Sequence, residues 1–514
     1  MSIVRTQVGC ARFGPRAKGA RLVGFARHRD FLPWGIRSVA PPRRCGPGFA
    51  LLALLAAAFG TGACASYEPL PLDAAAVEHG LAPPDAEALR VRAGSLVHRI
   101  LQPIVLDASD GLSPEEAAVV AVLANPSLRA VRDQRGLADA QLLQAGILPN
   151  PQVSAGVDVP VGGTIDGTVV GFSADLSWDI AQLVSRSTRM DAATAAQASV
   201  DLDIAWQEWQ VAQAARIAVY RLAGLEAEAA LATETERRLD ENLDMVRRAA
   251  EAAQLTELAL AAAEAAANQA RGDALEVRHQ VRLQRLLLSR LLGQPPESEV
   301  RVQQGFELPS WRDPPAEEDL VRDLEQRRLD LVALHLGYDS QEATLHAAVL
   351  EQFPRIGIGI NGGRDTGNVG SIGAGLTIDL PIFDRNQGGI AIETATRQQL
   401  FDEYVDRVFQ ARADVADVLE EIRSLDERIS TAQAAEPGLQ RLVDTYRTAM
   451  GGGQIDVLSY YTAWNDLTAK RREIISLQEQ LAEARIALEL AAGMYLPSEA
   501  PAAAETSPTG QGVP

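Results

Sequence analysis

Two stretches about 200 residues apart repeat one order of elements: a strand-pair signal, a very long helix, a turn and a shorter helix. The copies span about Ser113 to Gly293 and Glu317 to Gly493, and from the outer strand onward they keep one register. Leu176 answers Leu376, Asp179 answers Asp379, Gln254 answers Gln454, Leu258 answers Leu458 and Gly293 answers Gly493. A period this long exceeds that of solenoid modules, so it marks duplication of a half-molecule, and each half is expected to hold an equivalent place in the fold.

Four segments alternate apolar residues with small or polar ones, the period of a strand with two unlike faces. Val153, Ala155, Val157 and Val159 form the first apolar set, and Val170, Phe172, Ala174, Leu176, Trp178 and Ile180 the second. Ile356, Ile358 and Ile360 follow in the second copy, then Ile372, Ala374, Leu376, Ile378 and Leu380. Glycine-rich links at Val161 to Gly167 and Gly362 to Gly370 make each pair a hairpin. Alternation of this length, with Trp178, Phe353 and Phe383 near the ends, suits outer-membrane barrel strands, although a soluble sheet packed on helices would alternate in the same way. Closure takes about eight strands or more, so four strands require either an open sheet or several chains sharing one barrel. In lipid an open edge is forbidden, so the transmembrane reading demands an oligomer.

After Ser185 and Ser187, which are expected to cap it, the chain runs to about Ala253 without proline, roughly 100 Å of helix. Gly389 to Met450 is nearly as long. Ser113 to Leu148 and Glu257 to Gly293 are shorter, and Pro126 should break the first of them. Two short helices stacked end to end match one long helix. Their apolar positions are mostly Ala and Leu, with Trp206, Trp209 and Tyr220 among the few aromatics, which allows close lateral packing. The expected fold class is α+β, mainly α: a long α-helical barrel continuous with a transmembrane β-barrel.

The first 63 residues read as a leader. An apolar run from Phe49 to Phe59 is too short to span a bilayer, follows Arg43 and Arg44, and ends in Thr61-Gly62-Ala63-Cys64. That ending resembles the lipobox of bacterial lipoproteins, with Cys64 as the lipidation site and Thr61 where leucine is usual; cleavage after a small residue beside an incidental thiol is the alternative. All three cysteines lie at or before this junction, so residues 65–514 have no thiol or disulfide chemistry. Removing the leader leaves 38 Lys and Arg against 67 Asp and Glu, a net charge of −29, which disfavours nucleic-acid binding. His79, His98, His279, His335 and His346 show no ligand pairing, and GxGxxG and Walker patterns are absent, so no metal site, cofactor or enzymatic activity is expected.

Four local patterns then resemble the outer-membrane efflux protein family, the TolC-like channels. Ser113-Pro114-Glu115-Glu116 with Ala124-Asn125-Pro126-Ser127-Leu128 resembles the family's first helix, and Gln144 to Pro151 its entry into the first strand. Asp379 to Gly389 resembles the exit from the last strand, with Asp384 or Asn386 expected to cap the next helix; its Asp-Arg-Asn-Gln-Gly stretch looks most like members paired with heavy-metal or cation exporters. Gly453 to Leu458 resembles the turn at the far tip of the helical tube, but the aromatic that often stands there is missing: Met450 takes its place, and the first copy has Ala250 to Ala253.

The resemblance implies a homotrimer in outer-membrane lipid, twelve strands in one barrel, and a passive conduit for small molecules or metal cations. It further implies a periplasmic adaptor and an inner-membrane transporter as partners, with Gln254, Gln454 and Asp456 at the gate or adaptor-contact region, although Asp456 would equally suit a solvated turn. The expected layout is leader 1–63, N-terminal anchor segment 64–112, first channel repeat 113–293, linker 294–316, second channel repeat 317–493, and disordered tail 494–514. A periplasmic adaptor, or a structural coiled-coil lipoprotein, is the competing reading; an adaptor should show one helical hairpin rather than two.

Overall fold

The computed structural model describes residues 66–83, 85–107, 109–298, 300–303, 315–451 and 457–494. Residues up to His79 form one unit. Its described part is an extended run followed by the start of helix α1 (Ala74–Leu81), where Asp73 Oδ1 accepts from Ala76 N at 2.8 Å and every residue is exposed.

The second unit begins at Gly80 and contains all the other elements. After α2 (Ala86–Gly94), the first repeat comprises α3 (Pro114–Ala124), α4 (Pro126–Gly146), β1 (Gln152–Asp158), β2 (Gly171–Asp179), α5 (Ala181–Val184), α6 (Arg186–Glu251) and α7 (Glu257–Leu291). The second comprises α8 (Glu317–Val321), α9 (Leu324–Arg327), α10 (Leu329–Leu350), β3 (Arg355–Arg364), β4 (Gly370–Asp379), α11 (Gln387–Gly451) and α12 (Val457–Ala491). The long helices have 66 and 65 residues and the helices that follow them 35 each, so the duplication expected from the sequence is present in the order hairpin, long helix, shorter helix, while α5 has no counterpart in the second copy.

The break at Pro126 is built by its neighbours. A capping box opens α3: Ser113 Oγ accepts from Glu116 N at 3.2 Å while Glu116 Oε2 accepts from Ser113 N at 2.9 Å. Asn125 then leaves helical geometry at ψ 122°, ends α3 and caps α4 by accepting from Ser127 N at 2.9 Å. Its amide also donates to Leu291 O at 3.0 Å, seating α4 on the last turn of α7. Arg328 does the same in the second repeat, donating to Ala491 O at 3.3 Å from a salt bridge of 2.8 Å with Asp330. The glycines beyond these ends, Gly293 and Gly493, take φ of +64° and +61°; a Cβ on Gly293 would lie 2.4 Å from Ala124 O. Thus the short helices do stack end to end.

Two expected caps are corrected. Ser185 occupies the N-cap of α6 without a side-chain bond, its carbonyl accepting from Thr188 Oγ1 at 2.8 Å, and Ser187 already lies inside the helix. Asn386 precedes α11, but its amide donates to Ala348 O at 2.9 Å, and Asp384 accepts from Asn386 N at 2.9 Å, so the pair anchors the strand exit rather than the helix start. Helix α11 also runs through Pro437. The proline removes one backbone donor, and the Gln433 position it leaves unpaired is exposed to water.

Helix α6 packs against α4, α10, α7 and α12, and α11 packs against α10 and α12. Alanines make the spacing close: Ala212, Ala215, Ala218, Ala263 and Ala267 are fully or almost fully buried. Trp206, Trp209 and Tyr220 are buried among them. No helix among the described residues is long and apolar enough to cross a membrane.

Candidate channel

The four strands form one antiparallel sheet in the order β1-β2-β3-β4, so the repeats join through β2 and β3. The register places Val153 opposite Leu176, Leu176 opposite Ile360, Ile358 opposite Leu376 and Ile356 opposite Ile378. All these side chains share one face because side chains alternate across a strand. That face is largely exposed in a single chain: Val153, Leu176, Ile358, Ile360 and Leu376 all retain large accessible areas. The opposite face carries Ser154, Ser173, Asp175, Ser177, Asn361, Ser371 and Thr377, interleaved with glycines. β1 and β4 are the outer strands, each with one edge unpaired within the sheet.

Two glycines assigned to a hairpin link, Gly362 and Gly363, instead lie inside β3. A Cβ on Gly363 would come within 2.4 Å of Phe172 O, so the position requires close backbone approach to β2. At one end of the sheet Arg364 stacks on Phe172 with its guanidinium carbon 5.4 Å from the ring centroid. At the end nearer the helices, Trp178 Nε1 donates to Pro149 O at 2.8 Å, and Phe353 and Phe383 are exposed. Aromatics with one polar tether at strand ends suit a membrane interface.

Buried charges tie the helical layer together. Arg216 bonds Glu489 across α6 and α12 and donates to Gln213 Oε1 at 2.8 Å. Burial alone would raise the Glu208 carboxyl, but hydrogen bonds from His98 and Arg132 outweigh it and hold it low. Further along the same helices, burial pushes the Glu479 carboxyl up to about 7, with repulsion from Glu483 and Glu228 adding to it and Arg221 opposing.

The segment toward the α6–α7 turn has an aromatic core on one repeat only. Tyr461 donates to Asn242 Oδ1 at 2.5 Å, and Arg238 lies 5.2 Å from the Trp464 ring centroid. Tyr460, Tyr461 and Trp464 have Leu260, Ala261 and Glu264 as their mates in the first repeat. The sequence reading passed over these residues; their signal was three aromatics within five residues in a chain with 5% aromatics.

The family comparison matches the second repeat: the model described as "Outer membrane efflux protein" covers residues 320–494. The second repeat is thus similar to the outer membrane efflux protein family. A search of curated protein sequences found no match. Among solved structures, this chain resembles CusC, in crystal structures concerned with folding and transmembrane channel formation, at TM-score 0.64 and 19% identity, over 80% of this chain and 99% of that one. The outer membrane protein VceC from Vibrio cholerae matches at TM-score 0.63 and 19% identity, over 74% and 96%. The open state of the Neisseria gonorrhoeae MtrE outer membrane channel matches at 0.59 and 18%, over 77% and 95%. At these identities the likeness is one of fold alone.

Of the residues singled out for the tip, Gln254 stands exposed in the α6–α7 turn, its backbone N–H donating to Ala249 O at 2.8 Å. Ala253 beside it has a left-handed φ of 56°. Gln454 and Asp456 lie outside the described residues, as do Cys64 and the tail from residue 495. Among the described residues no group of three or more His, Cys, Asp or Glu could hold a metal ion.

Proposed function

We propose that this protein is an outer-membrane efflux channel, a passive, homotrimeric conduit of a tripartite export system. The observation that carries the reading is the sheet, four strands with one apolar exposed face, one polar face and an open edge on each side. Lipid would cover the first face and water the second. The open edges are untenable in a bilayer unless other copies pair with them. Three copies supply twelve strands, enough to close a barrel with an aqueous lumen. A periplasmic adaptor and an inner-membrane transporter supply energy and choice of cargo, which is a small molecule or a metal cation. The helical layer continues the barrel into the periplasm as two channel repeats, 113–293 and 317–493, joined by linker 294–316. Residues 1–63 are the leader, 64–112 the anchor segment and 494–514 a disordered tail. Cys64 is acylated, and Gln254, Gln454 and Asp456 form the gate or adaptor-contact tip.

Purified outer membranes and planar bilayers test the reading. The protein is expected to need detergent for extraction and to open stepwise conductances; release by salt or alkali without detergent contradicts it. Replacing Cys64→Ser should abolish acyl labelling, and persistent labelling would reject that site.

A further inference from the structure

Helices α6 and α11 are mates across the repeat, as are α7 and α12. Within one chain α6 packs against α12. The mate of that interface would be α11 against α7, but α7 packs chiefly on α6 with a smaller contact on α12, and α11 packs chiefly on α12 and α10 with a smaller contact on α8, so α7 and α11 occupy opposite margins of the layer. Side chains change character accordingly. Trp209 is 0% exposed, whereas its mate Phe409 on the margin is 72% exposed.

The α6–α12 contacts supply a register for the missing interface. Tyr220 packs against Ala482 and Ile486, and transposing by the repeat puts Glu420 opposite Arg282 and Leu286. Arg221 donates to Glu483 at 2.7 Å and lies 3.8 Å from Glu479; transposition puts Glu421 opposite Leu283 and His279. All six transposed residues are exposed. Glu420 meets only Arg423 in its own helix, at 3.5 Å. At this height the α11 margin is acidic, with Asp417 beside the two glutamates, and the α7 margin is basic, with Arg290 beside Arg282.

We propose that α11 of one copy docks on α7 of a second copy in the register of α6 on α12, with Glu420 facing Arg282 and Glu421 facing His279. This rests on the trimeric reading above and adds its contact surface. Exposed ion pairs contribute little energy, so the leucines and Phe409 hold the surfaces together while the charges select the register and exclude acidic-to-acidic pairing.

Paired cysteines test it in intact outer membranes. Oxidised R282C/E420C should form intermolecular cross-links at least tenfold above R282C/E427C, whose second cysteine lies about 10 Å further along α11. Trimers of R282C/E420C that do not cross-link overturn the pairing but leave the assembly standing; a monomeric unmodified protein overturns the assembly itself. Independently, R282E and E420R should each lower the temperature at which the trimer dissociates, and the double variant should recover at least half the loss. No recovery overturns the register.

Discussion

Three single residues carry local features that stability measurements can check. Gly293 has a left-handed φ and no room for a Cβ beside Ala124 O, so Gly293→Ala should destabilise the helical layer by about 2 kcal/mol or more, judged by denaturant unfolding in detergent. Ala253 is the converse case. It takes φ 56° with a Cβ, where its mate in the second copy is Gly453, so Ala253→Gly should slow hydrogen exchange around the α6–α7 turn by about fivefold, equivalent to about 1 kcal/mol. Glu479 gives a pH signature. Its raised pKa means the folded chain holds a proton that the unfolded chain releases above the ordinary carboxylate range, so its contribution to stability falls as pH rises from about 4.5 through about 7. Glu479→Gln should therefore stabilise at pH 8 and change little at pH 4; equal effects at both would contradict the assignment. None of these positions announces itself in sequence. Gly293 was legible as an end of a repeat, but the close approach of Ala124 depends on a fold that joins residues far apart in the chain.

Elements were more legible than residues. Alternation exposed all four strands, and proline-free Ala/Leu runs exposed the long helices, because both signals are local periods. The β2–β3 pairing was not legible, since a strand's period says which face it buries but not which neighbour it takes. The caps also misled: Ser185 and Asn386 have capping side chains, yet Ser185 makes no such bond and Asn386 is drawn to Ala348 O. The two faces of the sheet make a sharp prediction. Leu376→Arg, on the apolar face, should cost about 2–4 kcal/mol per chain and lower the yield assembled in the outer membrane, whereas Thr377→Arg, one residue on and facing the other side, should assemble at near-normal yield. Similar losses from both would mean that the apolar face does not meet lipid.

For the whole molecule, the duplication and the open sheet lead to the same conclusion. A half-molecule repeated once supplies four strands, two long helices and a layer whose margins, α7 and α11, do not pack on each other within the chain. Both the unpaired strand edges and the exposed Phe409 are then features of an incomplete ring, and three copies would place six pseudo-equivalent units around one pore. The family match over residues 320–494 supports the efflux reading, and the repeat and the open sheet support the reading that one chain is not enough. Neither names the cargo, and in the proposed reading a passive conduit would leave that choice to its partners. The most direct test is the native mass of the protein extracted gently from outer membranes in detergent: three protomers are predicted, and a stable monomer or dimer would contradict the account.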